Sequence, residues 1–210
     1  MQVLSLRVVE GVPPEEVAAR LTAVLPPGVG VVLSRRAGAR FNASWQASGK
    51  EYRYRLALSD LPAWSGCAWR VDVRPERVAE ELLRAVGTRN FAVFHDGSSV
   101  VKPRTVRSAT VHELASGLVE VRVTGDGFAR HMVRRLVGAA VGVARGEVAA
   151  ETYVLALEEA RRSPGFAGRK APAQGLVLWE VSYPPEIDPF TAAERRAPPG
   201  LPETPPFAAG

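Results

Sequence analysis

The chain has 210 residues, 46% of them hydrophobic, enough for a sizeable core in one large α/β domain or two small ones. Its formal net charge of +5, carried almost wholly by Arg, favours an anionic partner without naming one, and the single Cys67 excludes an internal disulfide framework. Three His without a Cys-x-x-Cys argue against structural zinc, no window has the composition of a membrane span, and the first residues lack the apolar run of a signal peptide, so a reducing cytoplasm is the expected setting.

Met1 to Val8 alternates apolar and polar residues and predicts a strand that begins at full strand character, as though the chain started inside an element. Val12-Pro13-Pro14-Glu15-Glu16 opens a helix whose stripe is Val17, Leu21, Val24 and Leu25, and Pro26-Pro27-Gly28 ends it. Val29 to Leu33 predicts the next strand. Lys50 to Ser59 alternates strictly, which places Tyr52, Tyr54, Leu56 and Leu58 on one face and Glu51, Arg53, Arg55 and Ala57 on the other.

Ala68 to Val73 reads as extended, and Pro75 opens a helix carrying Val78, Leu82 and Val86 on one side. The loop from Gly87 to Ser99 holds His95-Asp96, whose adjacency in a loop fits an ordinary polar turn better than a general-base pair. Thr105 to Leu114 and Leu118 to Thr124 predict an antiparallel hairpin around Ala115-Ser116-Gly117. Gly125-Asp126-Gly127 then breaks the second strand and admits a helix running to about Ala144. Glu151 to Arg162 predicts another helix and Leu176 to Tyr183 a last strand. From Thr191 onward Pro, Ala, Glu and Gly dominate, and disorder is expected. These elements predict an α/β (α+β) architecture with an antiparallel or mixed sheet flanked by helices.

The most informative segment is Phe128 to Gly138, where arginines interrupt an apolar helical run. Val133, Leu136, Val137, Ala140 and Ala144 form a band, and Arg134 lies beside it. Two readings are open. Arg134 is a flank residue whose stem covers core surface, or a guanidinium whose planar fork holds a carboxylate or phosphate. Arg130, His131 and Arg135 are then phosphate candidates near the helix start. Gly138 and Gly142, four residues apart, permit close approach of another backbone. Tyr52 and Tyr54 are either cross-strand core residues or a base-stacking and proton-handling pair, and Arg53, Arg55 and Arg104 are candidates for the nucleic-acid backbone. No phosphate-binding glycine loop or Ser-centred elbow is present, so no cofactor or metal is expected.

On these residues the chain resembles the TruA-type tRNA pseudouridine synthases. Phe128 to Gly138 is similar to the family's F-x-x-H-M-V-R-x-x-V-G segment, which aligns Arg134 with its active-site arginine. Lys50-Glu51-Tyr52-Arg53-Tyr54 is similar to a basic residue and paired tyrosines, with Tyr52 the better match to the pocket tyrosine. Asn90-Phe91, Phe94, Arg104-Thr105, Ala171 to Leu176 and Val181-Ser182-Tyr183-Pro184 continue the resemblance in order, up to about Phe190. Phe41-Asn42-Ala43-Ser44 departs from the family at Ser44, where an Arg is usual.

The resemblance implies isomerisation of uridine at position 38, 39 or 40 of the tRNA anticodon stem-loop, by a cytoplasmic homodimer using neither metal nor organic cofactor. The C1′–N1 glycosidic bond breaks, the uracil turns, and C5 joins the ribose. An Asp initiates cleavage by attack or by a glycal route, Tyr52 stacks on the base and helps remove the C5 proton, and Arg134 pairs with the Asp. Arg53, Arg55, Arg104, Arg130, His131 and Arg135 contact RNA. The family carries that Asp in an Arg-Thr-Asp-x-Gly-Val-His-Ala motif, and this sequence contains no such motif. The expectation is therefore an incomplete N-terminal half in residues 1–60, a C-terminal α/β half in 61–190 and a Pro-rich tail in 191–210, without catalytic turnover by the chain itself. The alternatives are a noncatalytic RNA-binding protein derived from the family and a structural α/β protein.

Overall fold

The computed structural model describes residues 2–95, 102–159 and 169–196. The chain divides into two compact units, one of Val3–Gln46 with Tyr183–Gly210 and one containing Ala47–Ser182. Among the described residues no helix is long and apolar enough to cross a membrane.

In the first unit the helix α1 spans Pro14–Val24. Pro14 supplies the first-turn φ, Glu15 and Glu16 face the positive helix end, and Leu25 turns extended ahead of Pro26-Pro27. Neither strand predicted in this region forms: residues 2–8 and 29–33 are irregular. Alternation prepares a segment for a sheet, but a strand exists only through a partner's N–H and C=O groups. Without one, Leu4 is 75% exposed and Val9 81% exposed. At the other end of this unit, Ala192–Arg196 forms a short helix, α5, within the segment expected to be disordered. The rest of that tail, 197–210, lies outside the described residues.

Among the described residues, the second unit holds one mixed sheet of six strands. Its strands are β1 (Gly49–Ala57), β2 (Trp69–Arg70), β3 (Gly87–Arg89), β4 (Arg104–Ala115), β5 (Leu118–Gly125) and β6 (Leu176–Ser182). β1 pairs antiparallel with β5 along its length. Its other edge is shared by β6, antiparallel to Gly49–Tyr54, and β2, parallel at Leu56 and Ala57. The hairpin β4–β5 and the short β3 complete the order β2-β1-β5-β4-β3. Gly117 sits in the hairpin turn at φ +75, a conformation that favours glycine.

Three helices, α2 (Pro75–Leu83), α3 (Met132–Ala144) and α4 (Ala150–Glu159), contribute to the core with one sheet face. The helix predicted to Arg162 is described as far as Glu159. Tyr54 and Leu56 of β1, Val121 and Val123 of β5, Leu82 of α2, Leu136 and Val137 of α3 and Tyr153 of α4 are all buried there. Each such large side chain contributes roughly 1.5–3 kcal/mol through burial. The period-2 pattern of β1 thus meets the 3.6-residue band of α3, as their spacings require.

The opposite face of β1 is charged. Arg55 and Glu120 are both buried there, with Arg55 Nε 3.6 Å from Glu120 Oε2. Arg53 donates to Glu51 at 2.7 Å and to Glu120 at 3.2 Å, and Arg122 donates to Glu120 at 3.0 Å. One buried carboxylate therefore serves three guanidinium groups, an arrangement that offsets the cost of burying Arg55.

Candidate functional site

The turn Gly125-Asp126-Gly127 converts β5 into α3 with little freedom. The Asp126 carboxylate accepts the Thr105 N–H at 3.0 Å, while the Asp126 N–H donates to the Thr105 carbonyl at 3.1 Å. A side chain at 125 would place its Cβ 2.5 Å from that carbonyl and 2.8 Å from the Phe128 ring, so the close approach requires glycine. Phe128 meets Tyr52 edge to face at 5.3 Å. His131 caps α3 at φ 65, a left-handed backbone in a residue other than glycine.

Arg134 follows on α3, half-buried. Its Nε donates to the Ala171 carbonyl at 2.7 Å, and its own carbonyl accepts the Ala171 N–H at 3.0 Å. One turn on, a Cβ at Gly138 would lie 1.8 Å from the Arg169 carbonyl oxygen. The backbone of 169–171 therefore crosses α3 in contact, the approach expected from Gly138. Gly142 instead faces the Val148 and Arg169 side chains.

The same crossing segment reaches β1. The Tyr54 hydroxyl donates to the Pro172 carbonyl at 2.8 Å, and the Gly175 carbonyl accepts the Arg55 N–H at 2.9 Å. Burial pushes the Tyr54 hydroxyl well above the ordinary tyrosine range, and the nearby Arg134 charge offsets part of that rise. Tyr52 lies on the same strand face; burial raises its hydroxyl too. Tyr54 is thus a structural tyrosine with its hydroxyl engaged, whereas among the described residues the Tyr52 hydroxyl has no hydrogen-bond partner.

The structure therefore joins the strand bearing Tyr52 to the helix bearing Arg134, through Phe128 on one side and Ala171-Pro172 on the other. Arg134 spends only Nε on Ala171; among the described residues no carboxylate pairs with it, and Nη1 and Nη2 make no hydrogen bond. A half-buried guanidinium with its terminal fork uncommitted is suited to an oxyanion. Among the described residues no three of His, Cys, Asp and Glu gather as metal ligands.

The remaining candidates are spread more widely. Arg130 is exposed and Arg135 half-buried at the start of α3, flanking His131. Arg104 is half-buried at the head of β4, with Nη1 over Gly127. Arg53 and Arg55 lie on the sheet face opposite Tyr52, bound to Glu51 and Glu120, and Arg53 stacks on Trp179 at 3.6 Å. His95 is buried; Asp96 lies outside the described residues. Sequence reasoning missed Asp126 as the tie between β4 and β5 and the crossing of 169–175. The first had a signal in a carboxylate between two glycines; the second required knowing what lies against Gly138.

Comparison with known proteins falls on these same elements. A family model described as tRNA pseudouridine synthase matches residues 83–184, which include the turn, α3, the crossing segment and β6. The chain is 34% identical over 177 residues to tRNA pseudouridine synthase A of Anoxybacillus flavithermus, an alignment covering 82% of this chain and 71% of that protein. It is 38% identical over 177 residues to that of Solidesulfovibrio magneticus, covering 78% and 62%, and 33% identical over 181 residues to that of Bacillus subtilis, covering 82% and 71%. Identity at this level, across most of the chain and through the helix that carries Arg134, shows that the chain belongs to the tRNA pseudouridine synthase family.

Proposed function

We propose that this protein serves the conversion of uridine to pseudouridine at positions 38–40 of the tRNA anticodon stem-loop. The observation that carries the reading is the Arg134 fork, half-buried beside the Tyr54–Pro172 contact and without a carboxylate among the described residues. In the reaction, an Asp starts cleavage of the C1′–N1 bond, and Arg134 orients that carboxylate. Tyr52, braced edge-on by Phe128, stacks on the uracil and assists loss of the C5 proton. Arg104, Arg130, His131 and Arg135 are the RNA-backbone candidates around the turn into α3. Arg53 and Arg55 are weaker candidates because carboxylates already engage them. Unpairing and flipping the nucleotide costs a few kcal/mol, which stacking and arginine contacts offset. A cytoplasmic homodimer is part of the same reading.

These 210 residues carry no Arg-Thr-Asp motif, which supports a second reading in which this polypeptide binds tRNA without turning it over. The two are separated by incubating unmodified tRNA transcript with the 210-residue chain, and with a version extended by an Asp-bearing family segment, in the presence of chelator. Pseudouridine at positions 38–40 from the extended version alone is the expected result. RNA binding without product from either overturns the reaction assignment, and product from the 210-residue chain overturns the requirement for that motif.

A further inference from the structure

Trp45 is 88% exposed, the most exposed aromatic side chain among the described residues, yet it stands on a tightly tied turn. The Asn42 carboxamide oxygen accepts both the Ser44 and the Trp45 N–H at 3.0 Å. Gln46 closes the turn by donating its N–H to the Asn42 carbonyl at 3.1 Å, while its side-chain oxygen accepts the Asn42 N–H at 2.6 Å. Beneath, the buried Ala43 gives its carbonyl to the Tyr183 hydroxyl at 2.7 Å, and Phe41 packs on the Tyr183 ring at 5.1 Å. Phe41 thus anchors the turn inward while Trp45 projects outward. Ordering a turn and then leaving a large apolar ring in water stabilises little by itself.

The surroundings select the occupant. Between Glu16 and Glu51 the sequence has no acidic residue but has Arg20, Arg35, Arg36, Arg40 and Lys50, of which Arg20 pairs with Glu16 and Arg35 with Glu194. Arg40 is exposed, and among the described residues it forms no ion pair. The turn around Trp45 is polar at Asn42, Ser44 and Gln46, and the Ala43 N–H donates to the Ser5 hydroxyl at 3.3 Å, between the exposed Leu4 and Leu6. An exposed aromatic ring on an ordered turn, with the exposed Arg40 near it in the sequence, is a combination suited to single-stranded nucleic acid. We propose that Trp45 is a stacking platform for an unpaired base of the bound RNA, a contact that rests on the tRNA-binding reading above.

The test is equilibrium binding of unmodified tRNA transcript, and of heparin as a polyanion without bases, to the full chain and to Trp45→Ala and Trp45→Phe. Because the ring is exposed, its removal leaves no cavity. Stacking predicts that Trp45→Ala binds tRNA about tenfold more weakly, that heparin binding is unchanged, and that Trp45→Phe retains most of the affinity. Tryptophan fluorescence should be quenched by tRNA in the parent, and that quench should be largely lost in Trp45→Phe. Equal tRNA affinity for the parent and Trp45→Ala overturns the proposal, as does an equal loss for tRNA and heparin. A Trp45→Ala chain that loses only self-association assigns the ring to a second copy and also overturns it. If the parent binds no tRNA, both this proposal and the tRNA-binding reading fall.

Discussion

Ala171 is held at both its backbone groups by one residue, its N–H by the Arg134 carbonyl and its carbonyl by the Arg134 side chain. This double hold fixes the Arg134 stem and, among the described residues, leaves Nη1 and Nη2 without a hydrogen bond. Lys at this position keeps a charge but loses the planar fork and the Nε donor. Arg134→Lys should therefore cost about 1.5–3 kcal/mol of stability in urea titrations, the range for a hydrogen bond to a charged group. In an Asp-bearing version it should slow single-turnover pseudouridine formation by about tenfold or more while changing tRNA affinity by less than about threefold. A rate equal to the parent's refutes the carboxylate-orienting role. Arg134 was singled out from its place beside an apolar band; that its Nε is committed to a backbone carbonyl depends on a residue 37 positions away, and no local pattern encodes it.

At the scale of elements, α3 and β1 are fastened by the crossing segment, and Gly138 is where the fit is tightest. Gly138→Ala forces Cβ into the Arg169 carbonyl and strains the Arg134–Ala171 pair, so it should destabilise by roughly 3 kcal/mol or more. Thermal unfolding checks this, and a midpoint equal to the parent's shows that the segment yields. On the opposite sheet face, Glu120→Ala leaves Arg55 buried without its counter-charge, at a cost of about 3–5 kcal/mol. Pairing Glu120→Leu with Arg55→Met should recover most of that loss in the same measurement. The helices and the hairpin β4–β5 were legible because their signals are local: a proline at the first turn, a band of period 3.6, a glycine in a turn. Residues 2–8 and 29–33 carried an equally good strand pattern and formed no strand, because pairing is decided by a partner and not by alternation.

For the whole molecule, buried tyrosines set an alkaline limit. Tyr54 and Tyr153 are buried in the core, and burial raises both hydroxyls above their ordinary value of 10.0. Below that value folded and unfolded chains alike keep these tyrosines neutral, and the stabilisation is complete. Above it the unfolded chain ionises first, so stability falls as pH rises, by up to about 1.4 kcal/mol per pH unit for each tyrosine. Urea midpoints should therefore drop between about pH 10 and about pH 11, and Tyr54→Phe and Tyr153→Phe should each flatten the slope. An unchanged slope in both variants refutes the assignment.

What these 210 residues determined by themselves were the quantities carried by spacing and composition: an α+β architecture, the face of β1 that bears the tyrosines, the helix that bears Arg134, and a basic balance suited to an anionic partner. Tertiary structure alone decided which tyrosine hydroxyl is engaged, that Arg53 and Arg55 serve a buried carboxylate, and that 169–175 bridges helix and strand. The division has one cause. Periodicity places side chains relative to their own element, whereas hydrogen-bond partners, desolvation and close backbone approach depend on residues brought near only when the chain closes on itself.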